Sequence, residues 1–476
     1  MDRFFHVTEK GSTVRTEIMA GITTFMAMAY ILMVNAGMFS NPFGDGTDVL
    51  GVSYGAIYVA TAISAVVGTL LIGLLSNLPL AQASGMGLNA YFVYTVCVGL
   101  GLSYANALVL VLFDGIIFVL LTVTGLRKII FDSIPHEVKA AISAGIGLFI
   151  AFIGLQNAGI VVNDSSTCVN LHSFNVFTGE QTWATIFPML VTLLAVFAIG
   201  AMSKKKVRGA VLWGILGAAV VYYVVGLITV PGFYASAIAP NLTSDFFGAF
   251  RDFGTQAFGA VFKSGFDFSA FIAANGTGAF VVMLLTTMLA FCMVDMFDTL
   301  GTLYGACSAG NMLDKDGNVP NMDRAMLADA CATCAGAVCG TSTVTTFVES
   351  SAGVAEGGRT GLTSLTTAAM FILSLFLWPV FGAIPSFATA PALIIVGLFM
   401  MSSVLKVKFE GDMADVLGAF VAIIMMPFTY SIANGIMFGI LTWMFLKIFR
   451  GKVKDIHPVM WVVFALFVLR IVTLCF

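Results

Sequence analysis

Long apolar stretches, separated by short polar breaks, recur along the whole chain. Twelve of them are long enough to cross a bilayer as a helix, which takes about 20 residues. They begin near Glu17, Val52, Tyr104, His136, Trp183, Gly209, Thr277, Met322, Thr363, Phe387, Ala414 and Ala433. Two further apolar stretches, from Pro79 and from Gly340, are shorter and richer in glycine and polar residues. Together they predict an all-α polytopic membrane protein with about fourteen transmembrane segments.

Composition excludes a soluble domain. Of the 476 residues, 59% are hydrophobic and only 10% are charged, whereas about a quarter of the residues of a soluble domain are charged.

Basic residues predict how the chain is oriented. If the N-terminus is cytoplasmic and the segments alternate, 19 of the 22 lysine and arginine residues fall on the cytoplasmic side, as the positive-inside rule requires. Arg127, Lys128 and Lys315 are among them. The run from Lys204 to Arg208 is better explained as such an anchor than as a nucleic-acid patch, so we expect a multi-pass protein of the cell membrane with no nucleic-acid partner.

The segment count divides the chain into two halves. Residues 1–230 and 270–476 would each carry seven segments, joined by an external connection at 231–269. An odd number of segments per half places the halves in opposite orientations. This is the inverted-repeat arrangement of secondary transporters, whose substrate sites lie near the midplane.

The two short stretches occupy corresponding places in the halves. They read PLAQASGMGLNAYFVYTV from Pro79 and GTSTVTTFVESSAGVAEGG from Gly340. The β-branched run Thr343–Val348 predicts a short strand, and the small residues after it favour a half-helix. Broken helices expose backbone groups that lipid cannot satisfy, so such segments face a cavity or a ligand. We therefore expect segments three and ten to meet at the substrate site.

Carboxylates and an amide mark the expected site. Asp295 and Asp298 are three residues apart and share one helix face, and a carboxylate facing lipid would be costly. Glu349 lies where the predicted strand meets the half-helix, and Asn89 has the corresponding position in the first half. Simpler roles remain open: aspartates in cytoplasmic water, a helix-start carboxylate for Glu349 and an N-cap or turn for Asn89.

This set of acceptors and donors suits a planar heterocycle with N–H and C=O groups along its edges. Thr343 and Phe25 complete the candidate binding set, with the ring of Phe25 as a stacking surface for the heterocycle. Any single aromatic residue in this chain is nevertheless more often a packing residue. Four other rings are available: Tyr30, Tyr91, Phe92 and Phe347.

Proton handling is expected to fall to Asp295, Asp298 or Glu349. The four histidines lie at segment ends or in loops, and burial and a nearby carboxylate both favour the protonated form of a carboxyl group. Cys331 and Cys334 have metal-site spacing but lack a second ligand pair, so packing is the better explanation. We expect no metal, no cofactor and no catalytic residue.

Five stretches of the chain resemble the AzgA-like purine permeases of the nucleobase-ascorbate transporter superfamily. They are AGITTFMAMAYILMVN, ASGMGLNAYF, MVDMFDTLGTL, ADACATCAGAVCGTSTVTTFVESSAGVAEGGRTGL and MPFTYSIANGI. The resemblance implies fourteen segments in interleaved core and gate domains, with segments three and ten each a strand plus a half-helix. It also implies proton-coupled uptake of adenine, guanine or hypoxanthine by an elevator-type movement, and it places Asn89, Asp295, Asp298 and Glu349 at positions used for substrate.

Several alternatives stay open. The fold would also serve a transporter of another nucleobase or of a small anion, although three acids would repel an anion. An intramembrane enzyme lacks a nucleophile–base set, and a channel matches a closed midplane site poorly. Sodium in place of the proton and a homodimer remain open. The stretch from Pro458 to Phe476 is either a further span or an interfacial helix.

Overall fold

A computed structural model describes residues 2–43, 46–125, 133–175, 181–238, 247–314 and 319–475. Three of the basic residues that predict the orientation, Arg127, Lys128 and Lys315, lie outside these ranges. So do residues 239–246 of the predicted connection.

Helices make up most of the described chain. In the first half they are α1 (Asp2–Phe5), α2 (Val14–Met28), α3 (Tyr30–Ser40), α4 (Tyr54–Ser76), α5 (Met86–Ala90), α6 (Tyr104–Val123), α7 (His136–Asn157), α8 (Trp183–Lys204) and α9 (Ala210–Thr229). A π-helical stretch, Tyr91–Gly99, continues α5. The connection carries the short helices α10 (Gly248–Asp252) and α11 (Ala260–Lys263) and two π-helical pieces, Tyr234–Ile238 and Phe253–Ala257.

Helices also make up most of the described second half. Its helices are α12 (Ser269–Ala309), α13 (Met322–Cys339), α14 (Ser350–Ala355), α15 (Gly361–Ser374), α16 (Trp378–Gly382), α17 (Ser386–Met401), α18 (Met413–Phe428), α19 (Ile432–Phe449) and α20 (Pro458–Cys475). Three 3₁₀ turns lie at Leu375–Leu377, Ser402–Lys406 and Val453–Asp455. Helix α12 is interrupted at Gly276, whose backbone is not helical.

Four short strands accompany the helices in the part of the chain that the structure describes. Strands β2 (Val161–Asp164) and β3 (Cys168–Leu171) form a hairpin that the all-α prediction did not include. Its turn is closed by Asp164, whose carboxylate accepts hydrogen bonds from the backbone N–H groups of Ser166 and Thr167. Such Asx turns depend on a few local residues and leave no periodic signal.

The other two strands confirm the predicted helix breaks. Strand β1 (Gln82–Ser84) pairs antiparallel with β4 (Val344–Thr346), with Ala83 opposite Thr345. Two flanking backbone hydrogen bonds, from Gly85 N–H to the Thr343 carbonyl (3.0 Å) and from Phe347 N–H to the Ala81 carbonyl (3.0 Å), extend the pairing. The two breaks therefore satisfy each other's backbone groups, which lipid could not do.

Ten helical stretches of the described chain are long and apolar enough to cross a membrane, and three shorter apolar helices accompany them. The shorter ones are Met86–Gly99, Met413–Phe428 and Pro458–Val472. The polytopic helical prediction is confirmed, while the exact number of fourteen crossings stays a prediction. Helix α20, whose place the sequence left open, packs along both α12 and α19.

The long helices pack in two groups. The first packing group contains the two broken segments and α2, α3, α4, α6, α12, α13 and α15. The second packing group contains α7, α8, α9, α17, α18 and α19. Small residues allow the closest approaches: a side chain at Gly361 would clash with the Gly73 carbonyl in the first group, and one at Gly397 with the Gly147 carbonyl in the second. Close backbone packing of this kind is typical of membrane helices.

Candidate functional site

A cavity of about 610 Å³ lies between the two packing groups. One wall comes from the first group and includes the polar side chains of Tyr30, Asp298 and Glu349. The opposite wall comes from α7 and α17. The volume falls within the roughly 300–1,000 Å³ of small-molecule sites. Among the described residues that line it, Asp298 and Glu349 are the only acids.

Glu349 lies at the cavity because the transmembrane helix is interrupted there. It follows strand β4 and directly precedes α14. The hydroxyl of Tyr30, at the start of α3, donates a hydrogen bond of 2.5 Å to Glu349 Oε1. Tyr30 itself is only 1% exposed, so this contact fixes the carboxylate from a rigid, buried position. Helix α3 and the second break are thereby joined at the site.

Asp298 enters the same cavity from α12. Its Oδ2 accepts a hydrogen bond of 3.2 Å from the Thr345 hydroxyl of strand β4. Strand β4 thus positions one acid directly through Thr345 and leads into the other at Glu349. The structure brings these two predicted residues together.

Asp295 has a different environment. It lies about one turn before Asp298 in α12 and is fully buried. It is absent from the described lining of the cavity. The shared helix face therefore carries one acid at the cavity and one within the protein.

Asn89 lies behind the strand pair, in a buried polar network. Its side-chain oxygen accepts hydrogen bonds from the hydroxyls of Ser84 (2.6 Å) and Ser342. The Ser84 hydroxyl also lies 2.9 Å from that of Thr341, which accepts a hydrogen bond of 3.0 Å from the Asn35 amide. The network ties the two broken segments to α3.

Thr343 and Phe25 also lie outside the described lining of the cavity. Thr343 is fully buried beside strand β4. Phe25 packs edge-on against Phe371, with ring centroids 5.2 Å apart, which is a packing contact. Of the six predicted binding residues, Asp298 and Glu349 line the cavity.

A further buried acid, not predicted from the sequence, lies close to the site. Asp329 of α13 is fully buried and accepts hydrogen bonds from the Thr299 hydroxyl (2.8 Å) and the Gln82 amide (3.3 Å). It therefore connects α13 to α12 and to strand β1. A lone carboxylate inside an apolar segment was the signal that could have found it. The sequence predicts only a stacking role for Tyr30, because no local pattern shows that its hydroxyl meets Glu349.

Metal-ligating side chains do not converge within the described residues, where no group of three or more His, Cys, Asp or Glu could hold an ion. Cys334 lies against Gly115, at a close contact between α13 and α6. This is a packing environment.

Comparison with known sequences gives full-length matches. The Xan_ur_permease model, described as a permease family, matches residues 15–438. The chain is 38% identical to the guanine/hypoxanthine permease PbuO of Bacillus subtilis, over 97% of this chain and 98% of that protein. It is 37% identical to the guanine/hypoxanthine permease PbuG of the same organism, over 100% of both. It is 33% identical to the adenine permease AdeQ of Escherichia coli, over 99% of this chain and 96% of that protein.

Solved structures share the fold at low sequence identity. The transmembrane domain of the cyanobacterium bicarbonate transporter BicA matches with a TM-score of 0.59 and 14% identity, over 89% of this chain and 97% of that one. The structure of SLC26A9 matches with a TM-score of 0.61 and 12% identity, over 92% of this chain and 66% of that one.

Proposed function

The chain belongs to the Xan_ur_permease family of multi-pass membrane permeases, and on that premise we propose that it takes up purine nucleobases by proton symport. Relatives named for guanine, hypoxanthine and adenine match over almost their whole length. Competition measurements assign which of these three bases is preferred.

One observation carries the proposal: Asp298 and Glu349 face one cavity from two different elements. Their carboxylates are acceptors for the N–H groups along the edge of a purine ring. Glu349 is held by Tyr30 and Asp298 by Thr345, so both acceptors are positioned before the base arrives. Met86, Gly87 and Phe347, from the two breaks, supply apolar surface beside them for the face of the ring.

Proton coupling follows from the same acids. A carboxyl group that gains a proton changes from an acceptor into a donor, so its protonation alters which edge of a base it can bind. We assign the coupled proton to Asp298 or Glu349, with Asp295 and Asp329 as buried acids behind the site.

Alternating access is proposed to be a movement between the two packing groups. The first group carries both cavity acids, and the second supplies only the facing wall. We equate the first with the core domain and the second with the gate domain, so that the core carries the base across the membrane in an elevator-type movement. Residues 1–230 and 270–476 would then be inverted repeats that contribute to both domains.

Reconstituted protein tests the proposal. Labelled hypoxanthine should accumulate in proteoliposomes with an imposed pH gradient, and accumulation should fall when the gradient is collapsed with sodium and voltage held constant. Adenine, guanine, xanthine and uracil as competitors then rank the bases. Accumulation that ignores the pH gradient would contradict proton symport, while a dependence on sodium would assign the other coupling ion.

Substitution of the acids tests the site. Glu349→Ala and Asp298→Ala should abolish uptake while the protein still reaches the membrane, because each removes a pre-positioned acceptor. Near-normal uptake by both variants would overturn the assignment. Thermal stabilisation of the purified parent by bicarbonate or sulfate, with none by purines, would instead favour a small-anion transporter on this fold.

A further inference from the structure

The cavity has two chemically different ends. The acids Asp298 and Glu349 lie at one end with Tyr30, which together form what we call the base pocket. The other end, which we call the mouth, has basic and hydroxyl-bearing side chains among apolar ones such as Ala140 and Met400. The basic and hydroxyl-bearing ones are His136, Lys139, Ser143, Ser402, Ser403 and Lys406. The described lining of the mouth contains no acid.

Two lysines lie at similar distances, measured along the helix axes, from the contact between α7 and the half-helix α5. Helix α7 touches the half-helix α5 at Ile146, whose Cγ2 would lie 2.8 Å from a Cβ added to Gly87. Lys139 precedes Ile146 by seven residues, which is about 10 Å along a helix axis. The backbone of Met401 approaches Gly147, the next residue of α7. Lys406 follows Met401 by five residues of 3₁₀ helix, again about 10 Å.

The two lysine-bearing elements are fastened to each other. The hydroxyl of Ser403 donates a hydrogen bond of 3.2 Å to that of Ser143, which joins the 3₁₀ turn Ser402–Lys406 to α7. Lys139 and Lys406 therefore line the same part of the cavity. His136 adds a third group that is cationic when protonated. Such a cluster is suited to a phosphate, which accepts several charge-assisted hydrogen bonds at once.

A purine base without a phosphate has no anionic group to pair with the cationic mouth. The cavity is also larger than a two-ring base. We propose that the cavity also binds a purine nucleoside monophosphate, with the base in the base pocket and the phosphate at Lys139 and Lys406. This inference rests on the proposed function, because it needs the base pocket to recognise a purine.

The inference has a functional consequence. The mouth lies on the side that the basic residues predict to be cytoplasmic. A cytoplasmic nucleotide that fills the cavity would hold the two packing groups in this arrangement and compete with the base. Since its phosphate carries charge, the nucleotide itself is not expected to cross. Nucleotide binding would therefore reduce base uptake when the cell is rich in the nucleotide.

The first measurement uses thermal stabilisation of the purified full-length protein in neutral detergent. The probes are inosine 5′-monophosphate, inosine, ribose 5-phosphate, inorganic phosphate, hypoxanthine and phosphatidylglycerol. We expect inosine 5′-monophosphate to bind at least about 10-fold more tightly than inosine or either phosphate alone, since only it engages both ends of the cavity. Equal binding of inosine, or equal binding of either phosphate, would overturn the proposal. Stabilisation by phosphatidylglycerol but not by the nucleotide would assign the mouth to a lipid headgroup and overturn it as well.

The second measurement uses proteoliposomes loaded with inosine 5′-monophosphate. Internal nucleotide should inhibit hypoxanthine uptake, and Lys139→Gln or Lys406→Gln should weaken the inhibition at least about 10-fold. Lys408→Gln is the matched control, because Lys408 is exposed on the same loop and does not line the cavity. Uptake without nucleotide should stay within about twofold of the parent in all three variants. Unchanged inhibition in both cavity variants would overturn the proposal.

The two proposals fail in different ways. If hypoxanthine neither stabilises the protein nor is taken up, the proposed function itself is wrong. If hypoxanthine is taken up and the nucleotide neither binds nor inhibits, only the nucleotide inference is wrong.

Discussion

At the residue scale, the contact between Tyr30 and Glu349 does most to define the site. The hydroxyl of a tyrosine is attached to a rigid ring, so its position depends on how that ring is packed. For Tyr30, this is the packing of α2 and α3. Because Tyr30 is buried, its hydroxyl holds one carboxylate oxygen of Glu349 in place. Glu349 also lines the cavity, where a ligand can meet its carboxylate. Few other side chains combine a rigid ring with a hydrogen-bond donor.

The substitution Tyr30→Phe tests that contact. A hydrogen bond to a charged group contributes about 1.5–3 kcal/mol, so we expect hypoxanthine uptake to fall by at least about 10-fold. Initial uptake rates normalised to protein in the membrane give the result.

Tyr58→Phe is the matched control for that substitution. Tyr58 is equally buried and its hydroxyl donates to the Ser374 carbonyl at 2.9 Å, but it does not line the cavity. It should retain most of the uptake. Equal losses in the two variants would show that the Tyr30 hydroxyl acts through general stability rather than through Glu349.

At the element scale, the start of one helix is satisfied by a side chain from a distant part of the chain. The buried carboxylate of Glu17 in α2 accepts hydrogen bonds from the backbone N–H groups of Arg359 (2.9 Å) and Thr360 (3.3 Å). It also accepts one of 2.6 Å from the Thr363 hydroxyl. These groups lie at the start of α15, where unpaired N–H groups and the positive helix end favour an anion. The first long helix thereby caps one that lies more than 300 residues later.

We expect Glu17→Ala to reduce the free energy of unfolding by about 1–3 kcal/mol, because it leaves buried donors without an acceptor. Thermal unfolding in detergent measures this as a lower Tm. Glu356→Ala removes a carboxylate of the same type from a partly exposed ion pair with Arg208, and such pairs contribute about 0–1 kcal/mol. A Glu17→Ala variant as stable as Glu356→Ala would contradict the capping role.

At the scale of the whole molecule, the two packing groups meet at several places. One of them joins Gly87 of α5 to Ile146 of α7, and it lies beside the cavity. If the groups move relative to one another during transport, this contact must separate or slide.

A disulfide across that contact should therefore stop transport. For Gly87→Cys with Ile146→Cys, oxidation should reduce uptake at least about 10-fold relative to the reduced form, since a disulfide holds Cβ atoms about 3.5–4.5 Å apart. Reduction should restore the uptake of the same sample, which separates the cross-link from the effect of the substitutions.

The control pair for that cross-link is Gly154→Cys with Leu393→Cys. It links α7 to α17, where an added Cβ at Gly154 would lie 2.9 Å from Leu393 Cβ. Both residues belong to the second packing group, so their cross-link should leave uptake intact. Full activity of the oxidised Gly87–Ile146 pair would argue against a movement between the groups.

The sequence alone determined the features that depend on local composition. A helix that crosses lipid needs an apolar stretch of fixed length, so most of the long helices could be located directly. The two breaks were visible because polar and β-branched residues such as Thr345 interrupt an apolar stretch. Asp298 and Glu349 stood out as candidate site residues because carboxylates are rare inside apolar segments.

Only the tertiary structure decided which of those groups meet. The pairing of Ala83 with Thr345 joins strands more than 250 residues apart, and nothing local specifies such a partner. Asp295 and Asp298 have the same residue type and nearly the same sequence environment, yet the packing of α12 leaves only Asp298 at the cavity. The direction of Asn89, towards Ser84 and Ser342, likewise depends on neighbours brought by the fold. Hydropathy determines which segments lie in the membrane, whereas long-range packing determines the side chains that each segment presents to the cavity.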